Sequence, residues 1–265
     1  FRPESFYKKN NVTLKLGVTV TKIDRSSRKV YCSDSSILAY KKLFLVTGST
    51  PRVFPAKLGG ALEKNYYIRS LNDVDTISNE FKPNKRVLII GGGYIGLEIA
   101  AIARKKNLEV TLVEAEDRIL QRVACSQTAN FFKELHQKNG VKIIEGCSVN
   151  YLVGKQNIFI GAVLDSGEKI SADFCVIGIG ADPCTDLADS SGLVSENGIW
   201  VDNLCQTTDH NILAAGDCAN FPFGSRRIRL ESVGNAIEQG EAAANTALGF
   251  RYSYNAQPWF WSDQY

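Results

Sequence analysis

The distribution of apolar and polar residues divides the chain into a β-rich start and a longer part in which strands and helices alternate. Between residues 12 and 50, apolar and polar positions alternate in short runs that end in the mostly apolar stretch KLFLVTGST. Because alternation with a period of two is typical of half-buried strands, this part is expected to form a β-meander that closes on a core strand. Residues 51–72 contain Pro51, Pro55 and the pair Gly59 and Gly60, which predicts a connector.

From Asp73 to about Ile179 the pattern changes to strands and helices in alternation. RVLII and EVTLVE are typical of strands, whereas YIGLEIAAIARKKN and SQTANFFKELHQKNG are typical of helices, the second of which ends at Gly140. The stretches VKIIEG, NIFIGAVLD, KISADF and CVIGIG predict further strands. The pattern indicates a parallel α/β domain with a small β appendage. After it, WVDN, ILAAGDCA and the helical stretch VGNAIEQGEAAANTALG predict a second α/β layer.

Composition and charge restrict the class of protein. The chain of 265 residues is long enough for about two domains. No apolar run approaches the roughly 20 residues that a membrane-spanning helix needs, so no membrane is expected as a partner. A net charge of +3, with scattered basic residues, does not favour nucleic acid either. The seven cysteines form no CxxC motif, so we expect reduced thiols in a cytoplasmic protein.

A glycine pattern at the start of the first long helix carries the strongest chemical signal. Gly91, Gly93 and Gly96 follow the strand RVLII in the order GxGxxG. The first permits a tight turn, the second lets a pyrophosphate approach the backbone, and the third lets the helix pack closely on the strand. The alternative is a glycine turn without a ligand. Against it, Glu114 ends the next strand, where its carboxylate can accept both hydroxyls of an adenosine ribose and would repel a 2′-phosphate, so NAD is favoured over NADP.

Four stretches resemble the FAD-dependent pyridine nucleotide reductases, and within them the ferredoxin and rubredoxin reductases that serve oxygenases. They are LFLVTGSTPR, GGGYIGLE, ILAAGDCA, and RIRLESVGNAIEQ followed by PWFWSDQY. The resemblance implies an α/β fold in which a Rossmann-like NAD-binding domain is inserted into a split FAD-binding domain. The family's first FAD fingerprint and its C-terminal domain are missing, so we expect a chain truncated at both ends. The implied parts are residues 1–72 (FAD domain, first part), 73–189 (NAD domain), 190–250 (FAD domain, second part) and 251–265 (start of the missing domain).

The resemblance also implies a set of cofactor-binding residues. Asp217 would accept a hydrogen bond from a ribitol hydroxyl of FAD, Glu98 would lie beside the nicotinamide of NAD, and Trp261 would cover the flavin on the side of the electron acceptor. The complete set comprises Gly91, Gly93, Tyr94, Ile95, Gly96, Glu98, Glu114, Arg122 and Gly178, together with Val20, Thr47, Gly48, Arg69, Gly216, Asp217, Val233 and Trp261.

Most of these roles have a purely structural alternative. Asp217 could be a helix N-cap, Glu98 a helix-dipole residue and Trp261 a core residue between domains. The basic stretch 226–229 could attract an acidic ferredoxin or could be an exposed loop. No His, Cys or Asp cluster has metal-ligand spacing, and no side chain is expected to act as a catalytic acid, base or nucleophile. The apolar candidates Val20 and Val233 could belong to the core.

The function implied by the resemblance is that of an NADH-dependent flavoprotein reductase. Its cofactors would be FAD and NAD, and its electrons would pass to a ferredoxin or a rubredoxin. Two alternatives remain open: a disulfide, CoA-disulfide or peroxide reductase of the same superfamily, and a nucleotide-responsive binding protein without catalysis. The stretches RLESV and PWFWSDQY favour the first interpretation over the disulfide reductases.

Overall fold

The computed structural model describes residues 2–251, 253–259 and 261–265. The chain forms two compact units, each assembled from separate stretches of sequence. The first unit consists of Phe1–Ser49 and Pro183–Phe260, and the second consists of Thr50–Asp182 and Trp261–Tyr265. The second unit is therefore inserted into the first along the chain.

Both units contain short strands and helices. The strands are β1 (Val20–Asp24), β2 (Lys29–Cys32), β3 (Ile37–Ala39), β4 (Leu43–Leu45), β5 (Ser49–Pro51), β6 (Asn65–Tyr66), β7 (Arg86–Ile90), β8 (Glu109–Val113), β9 (Val141–Ile144), β10 (Val149–Lys155), β11 (Ile158–Leu164), β12 (Lys169–Ser171), β13 (Phe174–Ile177), β14 (Ala181–Pro183), β15 (Ile199–Trp200), β16 (Ile212–Ala214), β17 (Ala219–Phe223) and β18 (Arg226–Ile228). The α-helices are α1 (Glu4–Lys9), α2 (Leu71–Ser78), α3 (Tyr94–Lys105), α4 (Ser126–Lys138), α5 (Asp186–Ser190) and α6 (Val233–Ala247), and 3-10 turns lie at Ala56–Leu58 and Gly216–Cys218.

The second unit is built on a parallel sheet with the strand order β6-β13-β7-β8-β9. Successive side chains of β7 point to opposite faces of this sheet. Val87 and Ile89 pack into one core with α3 and α4, whereas Leu88 and Ile90 pack into another core with Phe159 of β11. Burial on both faces explains why this strand is an uninterrupted apolar run. The antiparallel strands β10, β11 and β12 form the predicted appendage, so the prediction of a parallel α/β domain is confirmed.

The first unit combines the predicted meander with a second set of α/β elements. Strands β1, β2 and β3 pair antiparallel, and the meander begins at Val20 rather than at residue 12. Strand β4 pairs in parallel with β16. Leu213 of β16 packs with Ala243 of α6, whereas its neighbours Ile212 and Ala214 face the core that contains Leu45. Because β4 and β16 are parallel, their carboxyl ends lie side by side at the same edge of this strand pair.

The unit boundaries differ from those expected. Residues 50–72 belong to the second unit because β6 pairs with β13, which makes β6 the edge strand of the large sheet. The expected segment 251–265 is divided. Its first part packs in the first unit through Ala256, which is buried, and through the Tyr254 hydroxyl, which donates to Asn235 Oδ1 at 2.7 Å. Its last residues, from Trp261, belong to the second unit.

Within the described residues, the helices are too short or too polar to cross a membrane.

Candidate functional site

The glycine turn after β7 is closed so tightly that its first residue must be glycine. Gly91 has a φ of +107°, and a Cβ built on it would lie 2.3 Å from the carbonyl oxygen of Gly178. Its N–H donates to the carbonyl oxygen of Val113 at 2.8 Å. The turn is thus held between β8 and the end of β13, and any side chain at Gly91 would collide with the backbone.

The other two glycines of the pattern differ in what surrounds them. A Cβ on Gly96 would lie 2.0 Å from the carbonyl oxygen of Gly91, so α3 packs directly against the turn. Gly93, the N-cap of α3, has open space where its Cβ would be. Because Gly93 offers no side chain to cap the helix, the N–H groups of the first turn of α3 face a space in which a phosphate could lie. The backbone around Gly93 therefore fits the pyrophosphate of a dinucleotide.

Glu114 is tied to the same turn by its carboxylate. Its Oε2 accepts from the N–H of Gly92 at 2.5 Å, and its Oε1 accepts from the N–H of Glu116 at 2.8 Å. A carboxylate has about four acceptor positions, so about two remain for a ligand. Glu114 therefore has a structural role in the glycine loop that the sequence did not indicate, and it keeps the capacity to bind ribose hydroxyls.

Two arginines lie near the carboxyl end of β13. Exposed Arg122 and Arg52 each have a guanidinium nitrogen near the Cβ position of Gly180, at 3.7 and 4.0 Å. Arg52 also pairs with Asp182 at 2.8 Å. Sequence analysis selected Arg122 but missed Arg52, although Arg52 is the last residue of LFLVTGSTPR. Together with the nearby α3 N-terminus, these cations favour an anionic ligand at this edge of the sheet.

The remaining candidates of the second unit lie on or near α3. Tyr94 is half-buried in the core, and Ile95 is exposed beside it. Glu98 lies further along the same helix, where its Oε1 accepts from the Ser262 hydroxyl at 2.7 Å. Arg69 is exposed just ahead of α2, and its backbone N–H donates to Asp73. Arg69 thus belongs to the second unit, not to the first segment where the sequence placed it.

The candidates of the first unit meet where β4 and β16 end. Thr47 and Gly48 follow β4, and Gly216 and Asp217 follow β16. The hydroxyl of Ser49 donates to Asp217 Oδ2 at 3.1 Å. Carboxyl ends of parallel strands are where α/β folds bind ligands.

Helix α6 holds the backbone that follows β16 in place. The N–H of Gly216, which has a φ of +79°, donates to Oε1 of the fully buried Gln239 at 2.8 Å. Asp217 lies inside a 3-10 turn, and the N-cap of α6 is Ser232, whose hydroxyl accepts from the N–H of Asn235. The N-cap alternative for Asp217 is therefore wrong.

Val20 and Val233 have different surroundings. Val20 is half-buried against the core of the first unit, whereas Val233 is 58 % exposed at the first residue of α6. The core alternative therefore fits Val20 and not Val233.

The two tryptophans of PWFWSDQY are more exposed than a core role requires. Trp261 is 57 % exposed and belongs to the second unit. Trp259 belongs to the first unit, where its indole Nε1 lies 3.1 Å from the Cβ position of Gly234, so Gly234 provides the space that the ring occupies. Phe260 lies outside the described residues. The exposure of Trp261 argues against a core role.

The basic stretch 226–229 is mostly engaged within the first unit. Arg227 donates to the carbonyl oxygen of Val201 at 2.6 Å and lies over the ring of Trp200, 4.5 Å from its centroid. Arg229 donates to the carbonyl oxygen of Asp217 at 3.1 Å. Two of the three arginines thus stabilise strands and the Asp217 turn, and residues 226–228 form β18, so the stretch is neither a wholly free cationic patch nor an exposed loop. Among the described residues, no cluster of three His, Cys, Asp or Glu side chains could hold a metal ion.

Comparisons with known proteins agree on one family. Residues 4–240 match the family model described as pyridine nucleotide-disulphide oxidoreductase. The chain is 39 % identical over 270 residues to putidaredoxin reductase of Pseudomonas putida, and the match covers 100 % of this chain and 64 % of that protein. It is 37 % identical over 266 residues to rhodocoxin reductase of Rhodococcus erythropolis, covering 100 % and 62 %.

A solved structure gives the same result for the fold. The ferredoxin reductase for the CYP199A2 system from Rhodopseudomonas palustris matches with a TM-score of 0.95 at 34 % identity, covering 100 % of this chain and 65 % of that one. The chain thus spans less than two thirds of the length of these relatives.

Proposed function

This chain belongs to the pyridine nucleotide-disulphide oxidoreductase family, and we propose that it is part of an NADH-dependent FAD reductase that passes electrons to a ferredoxin or a rubredoxin. The observation that carries the proposal is the glycine turn of the second unit. Gly91 and Gly96 permit no side chain, whereas the space beside Gly93 is open at the N-terminus of α3. That combination fits a dinucleotide pyrophosphate.

The second unit would hold NAD. Backbone N–H groups of the first turn of α3, around Tyr94 and Ile95, would bind the pyrophosphate. The remaining acceptor positions of Glu114 would take the adenosine ribose hydroxyls, and a 2′-phosphate would meet a carboxylate there. Arg122 would add positive charge near Gly180, and Glu98 would lie beside the nicotinamide.

The first unit would hold FAD through the edge formed by β4 and β16. Asp217, oriented by Ser49, would accept from a flavin ribitol hydroxyl, while the backbone at Thr47, Gly48 and Gly216 permits close approach. Bound NADH would supply a hydride, and bound FAD would supply two-electron acceptance followed by release of single electrons, with the proton passing to solvent. The residues of the chain bind, orient and exclude water, and no side-chain acid or base is required. Val20, Val233, Arg69 and Trp261 complete the proposed set of cofactor contacts.

A cytoplasmic location fits the cysteines. All seven are free, and five of them are buried. Burial raises the pKa of Cys205 to about 12 and raises the pKa of Cys175 further. Thiols in that state are poor nucleophiles, which speaks against these two residues as redox-active cysteines.

The proposal is tested with the full-length protein that carries this sequence, loaded with FAD. We expect anaerobic NADH to bleach the flavin absorbance, and a [2Fe–2S] ferredoxin or a rubredoxin to restore it faster than a low-molecular-weight disulfide, CoA disulfide or hydrogen peroxide does. Faster reoxidation by a disulfide or peroxide would contradict the acceptor assignment. NADH binding without bleaching would instead support a nucleotide-responsive binding protein.

A further inference from the structure

The last residues of the chain connect the two long helices of the second unit through their side chains. Ser262 donates to Glu98 on α3, and Gln264 contacts His136 on α4 at 2.8 Å. The ring of Tyr265 packs edge-on against the ring of His136, with 4.9 Å between centroids. The segment 261–265 thus lies across α3 and α4 and ends at a buried histidine.

These side chains form one continuous row of hydrogen bonds. The Tyr265 hydroxyl lies 3.0 Å from His136 Nδ1, and His136 Nε2 lies 2.8 Å from Gln264 Oε1. Gln264 Nε2 donates to the Ser262 oxygen at 3.0 Å, and the Ser262 hydroxyl donates to Glu98 Oε1 at 2.7 Å. The backbone N–H of Asp263 donates to the same Glu98 oxygen at 3.3 Å.

Donor chemistry fixes the direction of this row. Gln264 Oε1 can only accept, so His136 Nε2 must carry the proton. Burial lowers the pKa of His136, which is 0 % exposed, and so favours the neutral ring. In the neutral ring Nδ1 accepts, so the Tyr265 hydroxyl donates to it. Every bond in the row therefore points from Tyr265 toward Glu98.

The row ends on one oxygen of Glu98 only. Within the described part of the chain, the hydrogen bonds of Glu98 involve Oε1 and leave Oε2 for another donor. Glu98 is on the same helix whose first turn adjoins the glycine loop, five residues after the N-cap Gly93. A carboxylate held in one rotamer at this place is a preorganised acceptor for an amide of a bound ligand.

We propose that Ser262, Gln264, His136 and Tyr265 are positioning residues that orient Glu98 toward the nicotinamide carboxamide of bound NADH. The inference rests on the proposed function, because it places the nicotinamide next to Glu98. It makes the segment 261–265 a determinant of dinucleotide affinity. The fingerprint at Gly91, Gly93 and Gly96 remains responsible for the adenosine diphosphate part of the ligand.

The test compares NADH with ADP-ribose, which lacks the nicotinamide, by calorimetric titration. We expect Ser262→Ala to weaken NADH binding about tenfold, as for loss of a hydrogen bond to a charged group, and to leave ADP-ribose binding unchanged. Ser262→Thr should retain most of the NADH affinity because it keeps the hydroxyl. Ser126→Ala, at the exposed start of α4, is the matched control and should affect neither ligand.

A second measurement determines the direction of this row of hydrogen bonds from the tautomer of His136. The chain has two histidines, His136 and His210, so nitrogen NMR of the imidazoles can assign the His136 tautomer. We expect neutral His136 with the proton on Nε2. A proton on Nδ1, unchanged NADH affinity in Ser262→Ala, or equal weakening of both ligands would each overturn the positioning role. If the unmodified protein bound neither ligand, the proposed function itself would fail.

Discussion

Gly93→Ala should greatly weaken NADH binding in a protein that stays folded, whereas Gly96→Ala should damage both binding and folding. A Cβ on Gly93 meets open space, and its φ of −80° is allowed for alanine. Loss of a glycine N-cap costs less than about 1 kcal/mol. The new methyl group would nevertheless occupy the position of the pyrophosphate, and we expect NADH affinity to fall by about 100-fold or more.

Gly96→Ala places a methyl group 2.0 Å from the carbonyl oxygen of Gly91. The contact is with backbone, so α3 must move away from β7, and we expect a loss of about 3 kcal/mol in the free energy of unfolding. Denaturant unfolding and NADH titration of both variants measure the two effects. Gly93→Ala that binds NADH normally would show that no phosphate lies beside α3, and a fully stable Gly96→Ala would contradict the packing of the turn.

Glu114→Arg should lower NADH affinity on the order of 100-fold and reverse the preference toward NADPH. Hydrogen bonds to a charged acceptor contribute ~1.5–3 kcal/mol each, and the substitution removes those to the ribose while supplying a cation for a 2′-phosphate. The same change also removes the acceptor for the N–H of Gly92 and of Glu116. We therefore expect a loss of about 1–3 kcal/mol in stability as well.

Glu116→Arg is the matched control for this prediction. It makes the same change in charge two residues away, on an exposed side chain whose Oε2 accepts from Gln121. Affinity for both dinucleotides should change by less than about threefold, as expected for an exposed charge screened by salt. Equal shifts in the two variants would mean that the long-range charge, and not the position of the Glu114 carboxylate, selects the dinucleotide.

The sequence predicted those features that depend on short patterns. The strand RVLII, the glycine spacing and the helix YIGLEIAAIARKKN lie within twenty-odd residues of one another. Local geometry requires glycine at Gly91 through its φ of +107° and at Gly96 through its contact with Gly91. The meander of the first unit followed from the alternation of apolar and polar residues in the same way.

Features that depend on contacts between distant residues were not predictable. His136 looked like an isolated histidine, because its partners Gln264 and Tyr265 lie 128 and 129 residues away in the chain. Residues 51–72 looked like a connector because β6 has only two residues, too few for a period to be visible. The contacts of the arginines of 226–229 were hidden in the same way, because the carbonyl groups that they bind leave no mark in the sequence.

Titration of the purified protein with NADH and with NADPH tests whether the glycine turn and Glu114 act together in binding a dinucleotide. We expect saturable binding of NADH at one site and binding of NADPH that is weaker by at least about tenfold. Equal or tighter binding of NADPH, or the absence of NADH binding, would contradict this expectation.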